Sequence, residues 1–127
     1  MGKRQKVSRE KVIEGYKTDL YIEDTKTLIE VKTLLSFEKE GSFPSMASNR
    51  AERQLEKISE LLDKGYKVCY LVIALNPRVE SICINKEFEK YVRLFQTCLN
   101  KGMEYRGFSI RLKDIKPEIH KTIDVSC

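Results

Sequence analysis

Apolar and polar residues alternate from Lys17 to Glu23 (KTDLYIE) and again from Thr27 to Leu35 (TLIEVKTLL), the two-residue period of a strand with one buried face. Asp24, Thr25 and Lys26 lie between the two runs and predict the turn of a hairpin. The pattern stops from Ser36 to Ser48, where Gly41, Pro44 and scattered serines predict a loop of the length that commonly carries function. Asn49, followed three residues later by Glu52, predicts a capped helix start. Ala51, Leu55, Ile58 and Leu62 then recur at helical spacing until Gly65. Tyr66 to Leu75 is apolar at both alternating sets of positions, which predicts a central strand covered on both faces and ended by Asn76-Pro77. A short strand is expected at Glu80 to Ile84, then a second helix through Phe88, Tyr91, Val92, Phe95 and Leu99 to Gly102. Two edge strands, Met103 to Leu112 and Ile119 to Val125, are expected on either side of a turn at Pro117. This order predicts an α/β fold, a mixed β-sheet with flanking helices.

Composition narrows the class. A chain of 127 residues, 41% hydrophobic and 34% charged, is long enough for one domain with a real core and too short for two. Its longest apolar run, Val68 to Leu75, is too short to span a bilayer, and Met1 to Lys6 lacks the apolar segment of a secretory signal, so a cytoplasmic protein without membrane contact is expected. Cys69, Cys83, Cys98 and Cys127 are widely spaced and His120 is the sole histidine, a pattern that argues against zinc binding and Cys-His catalysis. The thiols in apolar stretches are expected in the core. A net charge of +5 favours a polyanionic partner, DNA or RNA ahead of a membrane, because each docked Lys or Arg releases counterions. Lys3, Arg4, Lys6, Arg9 and Lys11 concentrate that charge, as a phosphate-gripping arm or a solvated tail.

Glu30 and Lys32 share one face of their strand, with Val31 and Thr33 on the other. If the hairpin turns at Asp24-Thr25, Asp19 falls directly across from Glu30, about 5 Å away at Cβ. Two carboxylates there suit one Mg²⁺, which takes one or two such ligands plus water and phosphate oxygens. Lys32 beside them would orient or help deprotonate the attacking water, or offset charge on the phosphorane. Taken alone, Asp followed by E-x-K equally describes cross-strand pairing on a wet sheet face. Its apolar strand, the serine-rich loop beyond it and a helix bearing Arg50, Arg53 and Gln54 favour the site.

Three stretches resemble the sugar fermentation stimulation (SfsA) family, whose C-terminal domain is similar to the PD-(D/E)XK, or restriction-endonuclease-like, nuclease fold. The first runs from Arg9 and Glu10 through Gly15 to Lys17-Thr18-Asp19, then Ile29-Glu30-Val31-Lys32-Thr33. The second is Phe43-Pro44 with Arg50. The third is the helix-Gly-strand passage Leu61 to Ile73, with Phe88 and Gly102-Met103-Glu104 after it. The resemblance spans Arg9 to Val125, leaving residues 1–8 as a basic tail and 9–127 as the nuclease-like domain. It implies a Mg²⁺ site, with Mn²⁺ as a substitute, at Asp19 and Glu30 with Glu10 as a further acidic member. It also implies a catalytic role for Lys32 and phosphate contacts from Lys17, Arg50 and Arg53. Gln54 stands where the family has His, and related nucleases use a glutamine on this helix to hold a metal-bound water. Ser45 stands in place of Asp and Ala51 in place of Gly, and no proline precedes Asp19. The family's N-terminal barrel and the core helix before its first strand have no counterpart here. That predicts a partly bare sheet face, covered by a homodimer or left at a cost in stability.

Two functions lead on these residues, a metal-dependent nuclease acting on DNA, RNA or both, and a non-catalytic nucleic-acid-binding or regulatory module on the same fold; a third, an interaction domain with no nucleic-acid role, requires both motif and charge to be coincidence. The charge and the altered Ser45 and Gln54 motivate the second.

Overall fold

The computed structural model describes residues 7–34, 39–43, 48–113 and 116–126. The basic arm of Lys3, Arg4 and Lys6, together with Pro44, Ser45 and Cys127, lies outside them. Four short strands, β1 (Val7–Arg9), β2 (Val12–Ile13), β3 (Tyr16–Lys17) and β4 (Leu20–Ile22), make one bent hairpin. β1 pairs with β4 and β2 with β3, both antiparallel, so Val7 and Ser8, expected in the tail, belong to the sheet. Between the two pairs Glu10 N donates to Asp19 O and Thr18 N to Lys11 O, each at 2.9 Å, so the register is unbroken through the bend. Glu14 (φ 48°) and Gly15 (φ 83°) form the two-residue tip, the left-handed pair that matches strand twist in a tight hairpin. The single strand expected from Lys17 to Glu23 is therefore interrupted. Thr18 is fully buried and its hydroxyl donates to the carbonyls of Leu20 (2.8 Å) and Ile29 (3.3 Å). Glu10, at φ 50°, marks the bend on the other side.

β5 (Thr27–Leu34) completes the expected hairpin, with Leu20 opposite Ile29, the register that sets Asp19 against Glu30. β6 (Glu40–Phe43) forms where a loop is expected. The first helix, α1 (Asn49–Asp63), is capped by Ser48, whose hydroxyl accepts from Ala51 N at 3.1 Å, and not by Asn49. Gly65 (φ 93°) closes it, as its position predicts. β7 (Lys67–Ala74), β8 (Ser81–Ile84), α2 (Glu89–Asn100), β9 (Glu104–Lys113) and β10 (Lys116–Ser126) follow.

The eight-stranded sheet runs β1-β4-β5-β7-β9-β10-β8-β6, with β5, β7 and β9 parallel at its centre. Two expectations are corrected. β9 and β10 are interior strands, because β10 pairs antiparallel with β9 and parallel with β8, leaving β1 and β6 at the edges. Pro117 sits within β10 opposite Leu112 and so is not the turn, while residues 114–115, between β9 and β10, lie outside the described residues.

Both helices lie on the sheet face that carries Tyr70, Val72 and Tyr105. Leu55, Ile58 and Leu61 of α1 and Tyr91, Phe95 and Cys98 of α2 fill the core there. Phe95 meets Tyr70 and Tyr105 edge-on, with ring centroids 5.1 and 5.0 Å apart. On the opposite face Ile29, Val31, Cys69, Leu71 and Ile73 are only partly buried. β7 is thus not covered on both sides, and its apolar second face is the partly bare one. Cys98 is a core thiol, whereas Cys69 and Cys83 are partly buried. Among the described residues no helix is long and apolar enough to cross a membrane.

Candidate active site

Strand β5, the hairpin tip with β3, the bends at Glu10 and Asp19 and the start of α1 enclose a polar cleft of about 430 Å³. Glu30 forms its floor. The carboxyl is placed there by β5, whose alternate residues Leu28 and Leu34 are core, and only 3% of the residue is exposed. Lys32, two residues on and on the same face, brings its Nζ to 3.7 Å from Glu30 Oε2. Asp19 sits at the bend before β4, and its Oδ2 accepts from Val31 N at 2.8 Å, which fixes the carboxylate against the strand that holds Glu30. Arg50 and Gln54, one helical turn apart on α1, form the facing wall. Gln54 Oε1 accepts from Lys32 Nζ at 3.1 Å. Glu10 and Lys17 stand at the exposed rim, with Lys17 Nζ 3.8 Å from Glu10 Oε1.

Burial pushes the Glu30 carboxyl above its ordinary range, opposed by the Tyr16 phenol, reinforced by the negative charge of Asp19 and opposed again by Lys32. The Tyr16 hydroxyl is itself enclosed, and burial beside Glu30 drives its pKa upward. A buried anion next to a second carboxylate is an arrangement that a divalent cation relieves, so the donor set fits a hard metal ion with oxygen ligands. Asp19 and Glu30 are the residues that would hold it. Among the described residues no third His, Cys, Asp or Glu joins them in a metal-binding group, which leaves Glu10 at the rim.

Eight residues singled out in the sequence are thus located: Glu10, Lys17, Asp19, Glu30, Lys32, Arg50 and Gln54 all line this cleft, and Arg53 does not. Arg53 turns into a neighbouring groove between the helices, with Asn49, Glu52, Glu56 and Lys90. Lys90 Nζ pairs there with Glu52 (4.0 Å) and Glu56 (3.8 Å). Tyr16 was not anticipated. Its signal was Gly15, a turn residue one position before an aromatic, which marks a hairpin tip aimed back at the sheet.

A mixed sheet with a parallel centre, helices on one face and an acid-x-lysine strand opening onto a polar cleft define a restriction-endonuclease-like, or PD-(D/E)XK, domain. The chain belongs to the SfsA family, its residues 1–116 matching the Sugar fermentation stimulation protein RE domain. Similar curated proteins are the Sugar fermentation stimulation protein homologs of Shewanella pealeana (26% identity, 76% of this chain, 43% of that protein) and Pelagibacter ubique (26%, 79% and 44%). The chain therefore spans less than half the length of the curated relatives it matches. Among solved structures, that of Pyrococcus furiosus SfsA in complex with Ca²⁺ aligns with a TM-score of 0.80 at 19% identity, over 93% of this chain and 53% of that one. The likeness establishes the fold.

Proposed function

We propose that this domain binds DNA or RNA and hydrolyses its phosphodiester bonds in a reaction dependent on Mg²⁺, or Mn²⁺ in its place. The observation that carries the reading is the buried Glu30, held between Lys32 and Asp19 on the floor of a cleft whose wall is Arg50. A structural ion pair has no need of that floor, because burying a carboxylate beside another carboxylate opposes folding. The Ca²⁺ in the Pyrococcus furiosus structure supports a divalent ion in the family. When bound, such an ion neutralises the phosphate and supplies a nucleophile at neutral pH.

Within this reading Asp19 and Glu30 orient the ion. Lys32 holds its ammonium where negative charge develops, and Gln54 fixes that ammonium by accepting a hydrogen bond from it. Arg50 grips the phosphate next to the scissile one, with Lys17 across the rim. Arg53, turned into the helix groove, reaches nucleic acid only beyond the cleft.

The test is incubation of purified protein with labelled single- and double-stranded DNA and RNA in Mg²⁺, Mn²⁺ or EDTA, beside Glu30→Ala and Lys32→Ala. Cleavage that needs metal and falls about 10²-fold or more in either variant is expected. Cleavage indifferent to Glu30→Ala removes the site. Arg50→Ala should weaken binding and lower the salt slope of log K by about one. One observation favours a non-catalytic binding module instead: Lys32 is already engaged by both Glu30 and Gln54. Salt-sensitive binding without cleavage in either metal would select that reading.

A further inference from the structure

The cleft also holds a buried group that the proposed chemistry does not use. Tyr16 is 6% exposed, its side chain lines the same cleft as Glu30, and its hydroxyl is fully enclosed without a partner at full hydrogen-bond geometry among the described residues. A buried phenol in that condition is costly unless a nearby acceptor takes its proton. The acceptor that shares its cleft is the Glu30 carboxyl, whose charge acts directly on the phenol.

Several features hold the tyrosine where it is. Glu14 and Gly15 make the tight tip that reverses the chain, and Ile13 and Tyr16 pair across it with both side chains turned inward. The tip is tied down by α1: Lys64, at the end of that helix, donates to Glu14 Oε1 at 2.9 Å. The hairpin also bends at Glu10, a non-glycine residue at φ 50°, a conformation that L side chains adopt at a cost and that persists where surroundings impose it. Bend, tip and tie together hold Tyr16, in a separate two-stranded sheet, at the cleft that β5 also lines.

We infer that Tyr16 is a positioning residue for the cation site, donating its hydroxyl proton to Glu30 and thereby fixing which carboxylate oxygen is presented to the metal. This rests on the reading of Glu30 as a metal ligand. Lys32 approaches Oε2, Asp19 is pinned by Val31 N, and Tyr16 shares the cleft with Glu30, so each part of the acidic pair has its own restraint. The electrostatics agree: the Tyr16 phenol is the leading influence that favours the Glu30 anion against its burial. Hydrogen bonds from outside the ligand set commonly decide the affinity and orientation of metal carboxylates.

Calorimetric titration of the full chain with Ca²⁺ and with Mn²⁺, comparing wild type, Tyr16→Phe, Tyr70→Phe and Glu30→Gln, separates this proposal from the reading beneath it. Tyr16→Phe keeps the ring and removes only the hydroxyl, and its cation affinity should fall about tenfold. Tyr70→Phe removes another buried hydroxyl from the next strand and should leave affinity unchanged, although it costs stability. Glu30→Gln should abolish binding. If Glu30→Gln abolishes binding while Tyr16→Phe binds like wild type, the tyrosine proposal is overturned and the metal reading stands. If Glu30→Gln binds normally, both are overturned. The wild-type protein gives an independent check by NMR: the Tyr16 hydroxyl proton should exchange slowly with water and lose that protection in Glu30→Ala, and equal exchange in the two overturns the proposal even if Tyr16→Phe does not fold.

Discussion

Glu30 and Tyr70 face each other across the parallel pairing of β5 and β7, and each is 3% exposed. Their surroundings differ in kind. The Tyr70 hydroxyl bonds that of Tyr91 at 2.8 Å, and its ring packs against Phe95 and Phe43, so every demand of burial is met inside the fold. Glu30 has a lysine at 3.7 Å, a second carboxylate close by and an open cleft above it. Burial alone thus says little about purpose. A buried polar group whose partners are complete stabilises the fold, and one whose partners are incomplete and which opens on a cleft is a candidate for chemistry.

The largest expected effect breaks the Tyr70 side of this pair. Phe95 is fully buried among three tyrosines and Phe43, so Phe95→Ala should cost about 3–5 kcal/mol in urea unfolding, most of what a small domain has. A cost below about 1 kcal/mol would mean that the aromatic cluster is not the core. Next comes Tyr70→Phe, which strands the Tyr91 hydroxyl and should cost about 1–3 kcal/mol. Its cation binding should stay intact, and a change there would erase the distinction between the two strands.

The smallest effect has the opposite sign. Burial raises the folded pKa of Glu30 above its unfolded value, so between those two values the folded state keeps a proton that the unfolded chain has released. Stability in chelator therefore declines as pH rises from the ordinary carboxylate range through the raised pKa, and levels off above it. Glu30→Gln removes the decline: thermal melts should show the variant more stable than wild type at neutral pH and equal to it at pH below both values. A gain that persists at the lowest pH would point to packing instead of charge.

Local patterning revealed much of this. The hairpin register that opposes Asp19 to Glu30 followed from the Asp24-Thr25 turn, the apolar run of β7 marked the sheet centre, and the spacing of Leu55 and Ile58 gave the inward face of α1. The misses share a cause, since they depend on partners distant in sequence. β6 looked like loop because its short, serine-containing segment is a strand only by pairing with β8. β9 and β10 looked like edges because nothing local announces that β8 pairs with β10. Ser48 displaced Asn49 as the cap by a single residue, within the tolerance of any local signal. In the site, residue identities were legible while directions were not: Arg50 and Arg53 differ by less than one turn of α1, and only one faces the cleft. Tyr16 is not legible because strand periodicity begins only at Lys17, and the tip that carries Tyr16 is a separate two-stranded sheet whose place at the cleft depends on contacts distant in sequence.

The parallel register of β5 with β7, which sets Thr27 beside Lys67 with the whole of α1 between them, also has a meaning in time. The Asp19–Glu30 pair belongs to a hairpin, which closes in microseconds from neighbours in the chain. The Arg50 and Gln54 wall needs the crossover to fold back and β7 to dock, a slower step because its contacts span a long loop. A growing chain is therefore expected to hold Asp19 and Glu30 together, with Lys17 and Lys32 beside them, before Arg50 and Gln54 arrive, and the cleft is complete only once β7 is seated.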